Sequence, residues 1–125
     1  MKVTKAITFD AAHQLQSSAW KNSPCHRLHG HTWRVEATYE GPVSEKSNSI
    51  VDFQAVGDAL KHAIHDRLDH QFINDVLDVQ DATSEYIVQW MWAQLEKCQF
   101  ADPVELVHLR LFETATCWVD HDGRV

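Results

Sequence analysis

At 125 residues the chain has room for one ordinary domain with a core of its own and is too short for two. Hydrophobic residues at 44% and charged residues at 23% are ordinary for a soluble globular protein; they exclude extended disorder, and no run reaches the apolar length of a membrane helix. A formal net charge of −7 disfavours a nucleic-acid partner, since phosphate backbones are held by dense Lys and Arg surfaces, and means that any phosphorylated substrate must be held locally. Met1 to Ala6 carries two lysines and runs into Thr8 and Asp10, so it lacks the apolar centre of a secretory signal. Cys25, Cys98 and Cys117 are odd in number and widely spaced, which points to reduced thiols rather than a disulfide framework. A cytoplasmic protein is the expectation, with residues 1–125 forming a single domain.

Val3 to Phe9 mixes β-branched and aromatic residues and runs through Ala11 and Ala12 into His13, the pattern of a strand. Gln14 to Pro24 is polar and reads as a loop. From Leu28 to Tyr39 the period is two, with His29, His31, Trp33, Val35 and Ala37 on one face, which predicts a second strand. Gly41-Pro42 and Ser44 to Ser49 supply turn chemistry. Asp52 suits an N-cap, and Phe53, Val56, Leu60, Ile64 and Leu68 follow at spacings of three and four, the mark of an amphipathic helix that Gly57 weakens slightly. A second helix is predicted from about Thr83 through Val88, Met91 and Leu95 to Lys97, and Val104 to Phe112 and Thr116 to Val119 read as two more strands. That order predicts an α+β domain, an antiparallel four-stranded sheet with two helices on one face.

His29 and His31, two apart on a strand, point the same way with Cα atoms roughly 6.5–7 Å apart, so both imidazoles can reach one metal. His13, at the end of the neighbouring strand, offers a third nitrogen, and three histidines with an open fourth position is the pattern of catalytic zinc. Separate strand histidines, each satisfied by hydrogen bonds, are the alternative. Cys25 lies in a polar loop beside Pro24, where a nearby metal would favour its thiolate as base or nucleophile; it could equally be a fourth, closing ligand. Cys98 and Cys117 read as small buried hydrophobes. Asp69-His70 follows the first helix, where a carboxylate can orient an imidazolium for proton relay or merely supply capping polarity. Glu113 closes an apolar strand and could accept two parallel hydrogen bonds from an NH–C–NH₂ edge, or face water.

Taken together, Phe9-Asp-Ala-Ala-His13, Cys25-His-Arg-Leu-His-Gly-His31, Ile50-Val-Asp-Phe53, Arg67-Leu-Asp-His70 and Glu113-Thr114 resemble the signature of the pyruvoyl-/6-carboxy-tetrahydropterin synthase family over nearly the whole chain. The short Cys-x-x-x-His-Gly-His spacing resembles the bacterial 6-carboxy branch. The resemblance implies a tunnelling fold (T-fold) in which trimers close barrels and pack as a homohexamer, a dimer of trimers, with active sites between subunits and one Zn²⁺ per subunit. Carried over by position, it makes His13, His29 and His31 the ligands, Cys25 the base, Asp69 and His70 its relay partners, and Glu113 the pterin anchor. Where the family often has Asn-Pro-Thr-x-Glu, this chain has Asp81-Ala-Thr-Ser-Glu85; Thr83 and Glu85 remain for helix entry and local substrate contacts. Arg27 and Lys21 could touch a triphosphate or simply serve solubility. The implied reaction converts 7,8-dihydroneopterin triphosphate to 6-carboxy-5,6,7,8-tetrahydropterin, acetaldehyde and triphosphate, the opening of queuosine synthesis. A pyruvoyl product, or a non-catalytic zinc module, are the alternatives.

Overall fold

The computed structural model describes residues 1–124. Strand β1 (Lys2–His13) pairs antiparallel with β2 (His29–Glu40), β2 with β3 (Glu105–Thr114), and β3 with β4 (Cys117–His121), so the sheet order follows the chain. The register sets Phe9 opposite Trp33, Ala11 opposite His31, His13 opposite His29 and Val35 opposite Leu111. Period-two alternation therefore collects Phe9, Trp33, Val35, Ala37, Leu109 and Leu111 on one buried face, while Thr8, Thr32 and Arg34 look outward.

The helices cover that buried face. Asp52 caps α1 (Phe53–Leu60) by accepting from Gln54 N–H at 2.9 Å. The helix then widens into a π-helical turn, Lys61–His65, and finishes as α2 (Asp66–Leu68). Val56, Leu60, Ile64 and Leu68 are buried along it, whereas Phe53, first in the expected apolar row, is 53% exposed. After the short helix α3 (Ile73–Leu77), Thr83 caps α4 (Ser84–Glu96), which buries Ile87, Val88, Met91 and Leu95 against the sheet. Trp33 is fully buried at the centre, with its indole N–H donating to Ala11 O at 3.2 Å. Its truncation to Ala would cost about 3–5 kcal/mol.

The expected α+β architecture is thus the observed one, with strand ends displaced by one to two residues. Three local expectations change. Gln14–Pro24 is a tied segment rather than an open loop: Leu15 is buried and bridges Asp81, the Asp81 carboxylate accepts from Ser17 N–H and Oγ, and short 3₁₀ turns form at Ser18–Trp20 and Pro24–His26. A third helix, α3, stands where the sequence suggests none, because its five residues are too few for a periodic signal. Cys117, expected to be buried, is exposed beside the β3–β4 turn, and Cys98 is half-buried. Among the described residues no helix is long and apolar enough to cross a membrane.

Candidate metal centre and active site

The buried face of the sheet turns polar toward the end where His13 of β1 pairs with His29 of β2. There β1 contributes His13, β2 contributes His29 and His31, and β3 contributes Glu113; one ligand atom from each lies within 4.8 Å of all the others. Glu113 is placed by a register shift: Phe112 pairs with Trp118 but Thr114 with Cys117, leaving Glu113 as the extra residue of a β-bulge. Bulges of this kind re-aim a side chain at the cost of one ladder position.

Two of the three imidazoles have their tautomer set by backbone carbonyls. His13 Nδ1 lies 2.8 Å from Ala82 O and His29 Nδ1 lies 2.6 Å from Arg27 O. A carbonyl can only accept, so each Nδ1 carries the hydrogen and, in the neutral ring, Nε2 carries the lone pair. His13 is 1% exposed, and the Nε2 atoms of His13 and His31 are buried without a partner in hydrogen-bond geometry, although Glu113 Oε1 is 3.4 Å from the first and 3.0 Å from the second. Burial holds the His31 imidazole below its ordinary range, reinforced by the neighbouring His13 and His29 and opposed by Glu113. Orphaned buried nitrogens and carbonyl-oriented Nδ1 atoms are what a three-histidine zinc site requires, so the residues fit such an ion.

Glu113 is ionised. The His13 imidazole, when it carries a proton on Nε2 as well as Nδ1, then the Ser84 hydroxyl donating to Oε2 at 3.0 Å, hold its carboxyl down to about 2 against the opposing effect of burial. His13 and Glu113 form one wall of a cavity of about 290 Å³ whose other walls include Cys25, Trp20, Thr83 and Trp118. Cys25 sits in the Pro24–His26 turn, its N–H bonded to Ser23 Oγ. Thr83 spends its hydroxyl as the α4 N-cap, accepting from Tyr86 N–H at 3.2 Å. Arg27 and Lys21 are exposed, and neither lines this cavity.

Asp69 and His70 lie elsewhere. His70 lines a second, wider depression of about 630 Å³ with Asp10, His31, Thr32 and Phe72, and its side chain is 79% exposed. Asp69 Oδ1 accepts from Asp10 N–H at 2.9 Å and Oδ2 accepts from His70 Nδ1 at 2.7 Å. The first bond, then the His70 ring, hold the Asp69 carboxyl below its usual range; the Asp69 hydrogen bond raises His70. His70 has φ of 60°, a left-handed conformation that few non-glycine residues adopt and that is common where a side chain is held for a task. One chain thus gathers the three histidines and Glu113, sets Cys25 and Thr83 around the cavity on the His13 and Glu113 side, and places His70 in the depression on the His31 side.

Sequence reasoning passes over Ser84, Asp10 and Asn74. Asn74 is buried; its Oδ1 accepts from Gln14 N–H, and its Nδ2 donates to Gln14 O and Gln80 O. It fastens the segment after His13 to the one before Ala82, the two ends that hold the His13 ring. A lone Asn in a short polar run carries no local sign of this.

Residues 2–124 match the family described as 6-pyruvoyl tetrahydropterin synthase. The chain is 33% identical over 99 residues to a Synechocystis protein named 6-carboxy-5,6,7,8-tetrahydropterin synthase, covering 76% of this chain and 74% of that one. It is 31% identical to a Pyrococcus furiosus protein named dihydroneopterin monophosphate aldolase, covering 90% and 89%. The Caenorhabditis elegans 6-pyruvoyl tetrahydropterin synthase structure superposes with a TM-score of 0.87 at 20% identity, over 99% of this chain and 96% of that one. At that identity the likeness establishes the fold, the α+β tunnelling fold.

Proposed function

Because the chain belongs to the 6-pyruvoyl tetrahydropterin synthase family, we propose that it is a zinc-dependent lyase converting 7,8-dihydroneopterin triphosphate to 6-carboxy-5,6,7,8-tetrahydropterin, acetaldehyde and triphosphate, in the cytoplasm, toward queuosine. The observation that carries this reading is the convergence of three imidazoles and Glu113, with His13 and Glu113 lining a cavity that Cys25 also borders.

His13, His29 and His31 hold the zinc, which when bound supplies Lewis acidity toward the substrate's side-chain hydroxyls. Glu113, fixed by Ser84 and ionised, accepts from the NH–C–NH₂ edge of the pterin and sets the register of the ring. Cys25 moves protons between side chain and ring from the cavity wall. Thr83 shapes the cavity at the α4 N-terminus, and exposed Arg27, with Lys21, meets the triphosphate. Asp69 orients His70 as the second acid-base group; since His70 and Cys25 of one chain line different cavities, the pair serves the cavity of a neighbouring subunit in a homohexamer, a dimer of trimers, built from residues 1–125 as one domain.

The test is incubation of purified protein with dihydroneopterin triphosphate, followed by mass analysis of the pterin and assay for acetaldehyde. Acetaldehyde with the carboxy product supports the reading. A pterin keeping all three side-chain carbons assigns the pyruvoyl reaction instead, and bound zinc with unchanged substrate assigns a non-catalytic metal module.

A further inference from the structure

Three charged side chains at the end of the first long helix, Lys61, His65 and Asp66, have no part in the chemistry above. In the π turn over Lys61–His65 the Asp66 N–H reaches back to Lys61 O, five residues away. The widened turn sets residues five apart side by side, and Lys61 Nζ lies 3.0 Å from both oxygens of Asp66. Such turns inside helices are frequent at functional sites. Asp66 Oδ1 in turn lies 3.4 Å from His65 Nδ1, and the other nitrogen of that ring, Nε2, faces Asp69 Oδ2 at 3.9 Å. That same Oδ2 accepts from His70 Nδ1 at 2.7 Å, while Oδ1 is taken by the backbone of Asp10.

We propose that His65 is a positioning residue for His70: both imidazoles face the same oxygen of Asp69, His70 in a hydrogen bond and His65 as a charge 3.9 Å away, so a protonated His65 loosens the hold of Asp69 on His70 and makes His70 the readier proton donor. The functional consequence rests on the acid-base role given to His70 above; the coupling itself rests on the geometry. The charged groups that face the pair are few. On the same helix these are Lys61, Asp66, His62, whose Nδ1 is 3.4 Å from Asp66 Oδ2, and Arg67, whose guanidinium is turned to Gln94 Oε1 at 2.9 Å and to the Trp90 ring of α4. From β2 comes Arg34, which lines a cavity of about 470 Å³ with Lys61 and His65 but is itself paired with Glu36 at 3.0 Å. From β1 comes Asp10, whose charge acts on His70, while Ala6, Ile7 and Thr8 are uncharged.

The experiment follows the ring protons of His70 by NMR as a function of pH in wild-type protein, His65→Gln and His65→Lys. Removing the charge in His65→Gln should raise the His70 midpoint by about 0.2–0.7 pH unit, the size of effect that exposed charge pairs produce. His65→Lys, with a charge that persists, should leave the midpoint at or below the wild-type value. The wild-type curve needs no variant to be informative, because coupling between the two rings makes it depart from a single step. With substrate, His65→Gln should lower kcat several-fold, leave KM within about twofold, and move the alkaline limb of the kcat profile by the NMR increment. A single-step wild-type curve with the same midpoint in all three proteins overturns the proposal. Coupled titration in a wild-type protein that does not turn over the substrate would retain the coupling and sink the catalytic reading.

Discussion

Glu113 has one oxygen on Ser84 and the other beside the imidazole cluster, and that double attachment sets what its replacement should do. As a pterin anchor, Glu113→Gln loses a charge-assisted pair of roughly 1.5–3 kcal/mol, so calorimetry should show pterin binding weaker by about tenfold or more with zinc content unchanged. Zinc lost with the carboxylate would make Glu113 a fourth ligand. For Cys25 the expected outcome of Cys25→Ala is retained zinc, an unchanged Tm and turnover lower by about 10²–10⁴-fold; released metal would make the thiol a ligand instead. The Asp69–His70 pair gives a pH window with a definite sign. The Asp69 contribution, from a carboxyl held below its ordinary 3.8, is present above that value and is lost as pH falls through the lowered one. The His70 contribution, from a ring raised above 6.5, is present below that value and is lost as pH rises through the raised one. Asp69→Asn removes what raises His70, so the alkaline limb of turnover should move toward lower pH; a limb that stays in place would separate His70 from that limb.

Short elements hold the metal centre to the fold. Asn74 on α3 satisfies three backbone groups in the two segments that grip the His13 ring, and Asn74→Ala leaves those groups without their partner. The cost should be about 2–3 kcal/mol, a fall in Tm on the order of 10 °C, together with weaker zinc retention on dialysis against a mild chelator. A variant that melts early but keeps zinc as tightly as wild type would confine Asn74 to stability. Thr83 is read differently, since its hydroxyl is spent as a cap. Thr83→Ala should therefore lose about 1 kcal/mol of stability that Thr83→Ser restores, with little change in KM. A large KM effect with unchanged Tm would instead place the hydroxyl on the substrate.

At the scale of the molecule, the sheet order leaves an edge of β1 and an edge of β4 without a strand partner among the described residues, apart from the single bridge between Ala12 and Phe72. Open edges are a liability that closure between copies removes. Light scattering should accordingly give a particle about six times the 14.4 kDa chain mass. A monomer with full turnover would contradict the shared site, because His70 and Cys25 of one chain border different cavities.

Much of this arrangement is local in origin and can be read from residue order. Alternation from His29 to Tyr39 reports which face of β2 is buried, and an i, i+2 pair on a strand must project two imidazoles to one side. Asp52 and Thr83 announce their helices because an N-cap acts within three residues. Other features depend on contacts between distant segments. The register that brings His13 opposite His29, the bulge that turns Glu113 toward them and the Ala82 carbonyl that selects the His13 tautomer join residues 16 to 100 positions apart. The π turn has no composition of its own, so His65 shows its relation to Asp69 only once the helix is built. Sequence determined which side chains could do chemistry; tertiary structure decided which of them meet, because hydrogen-bond geometry and burial exist only between parts of the chain that folding brings together.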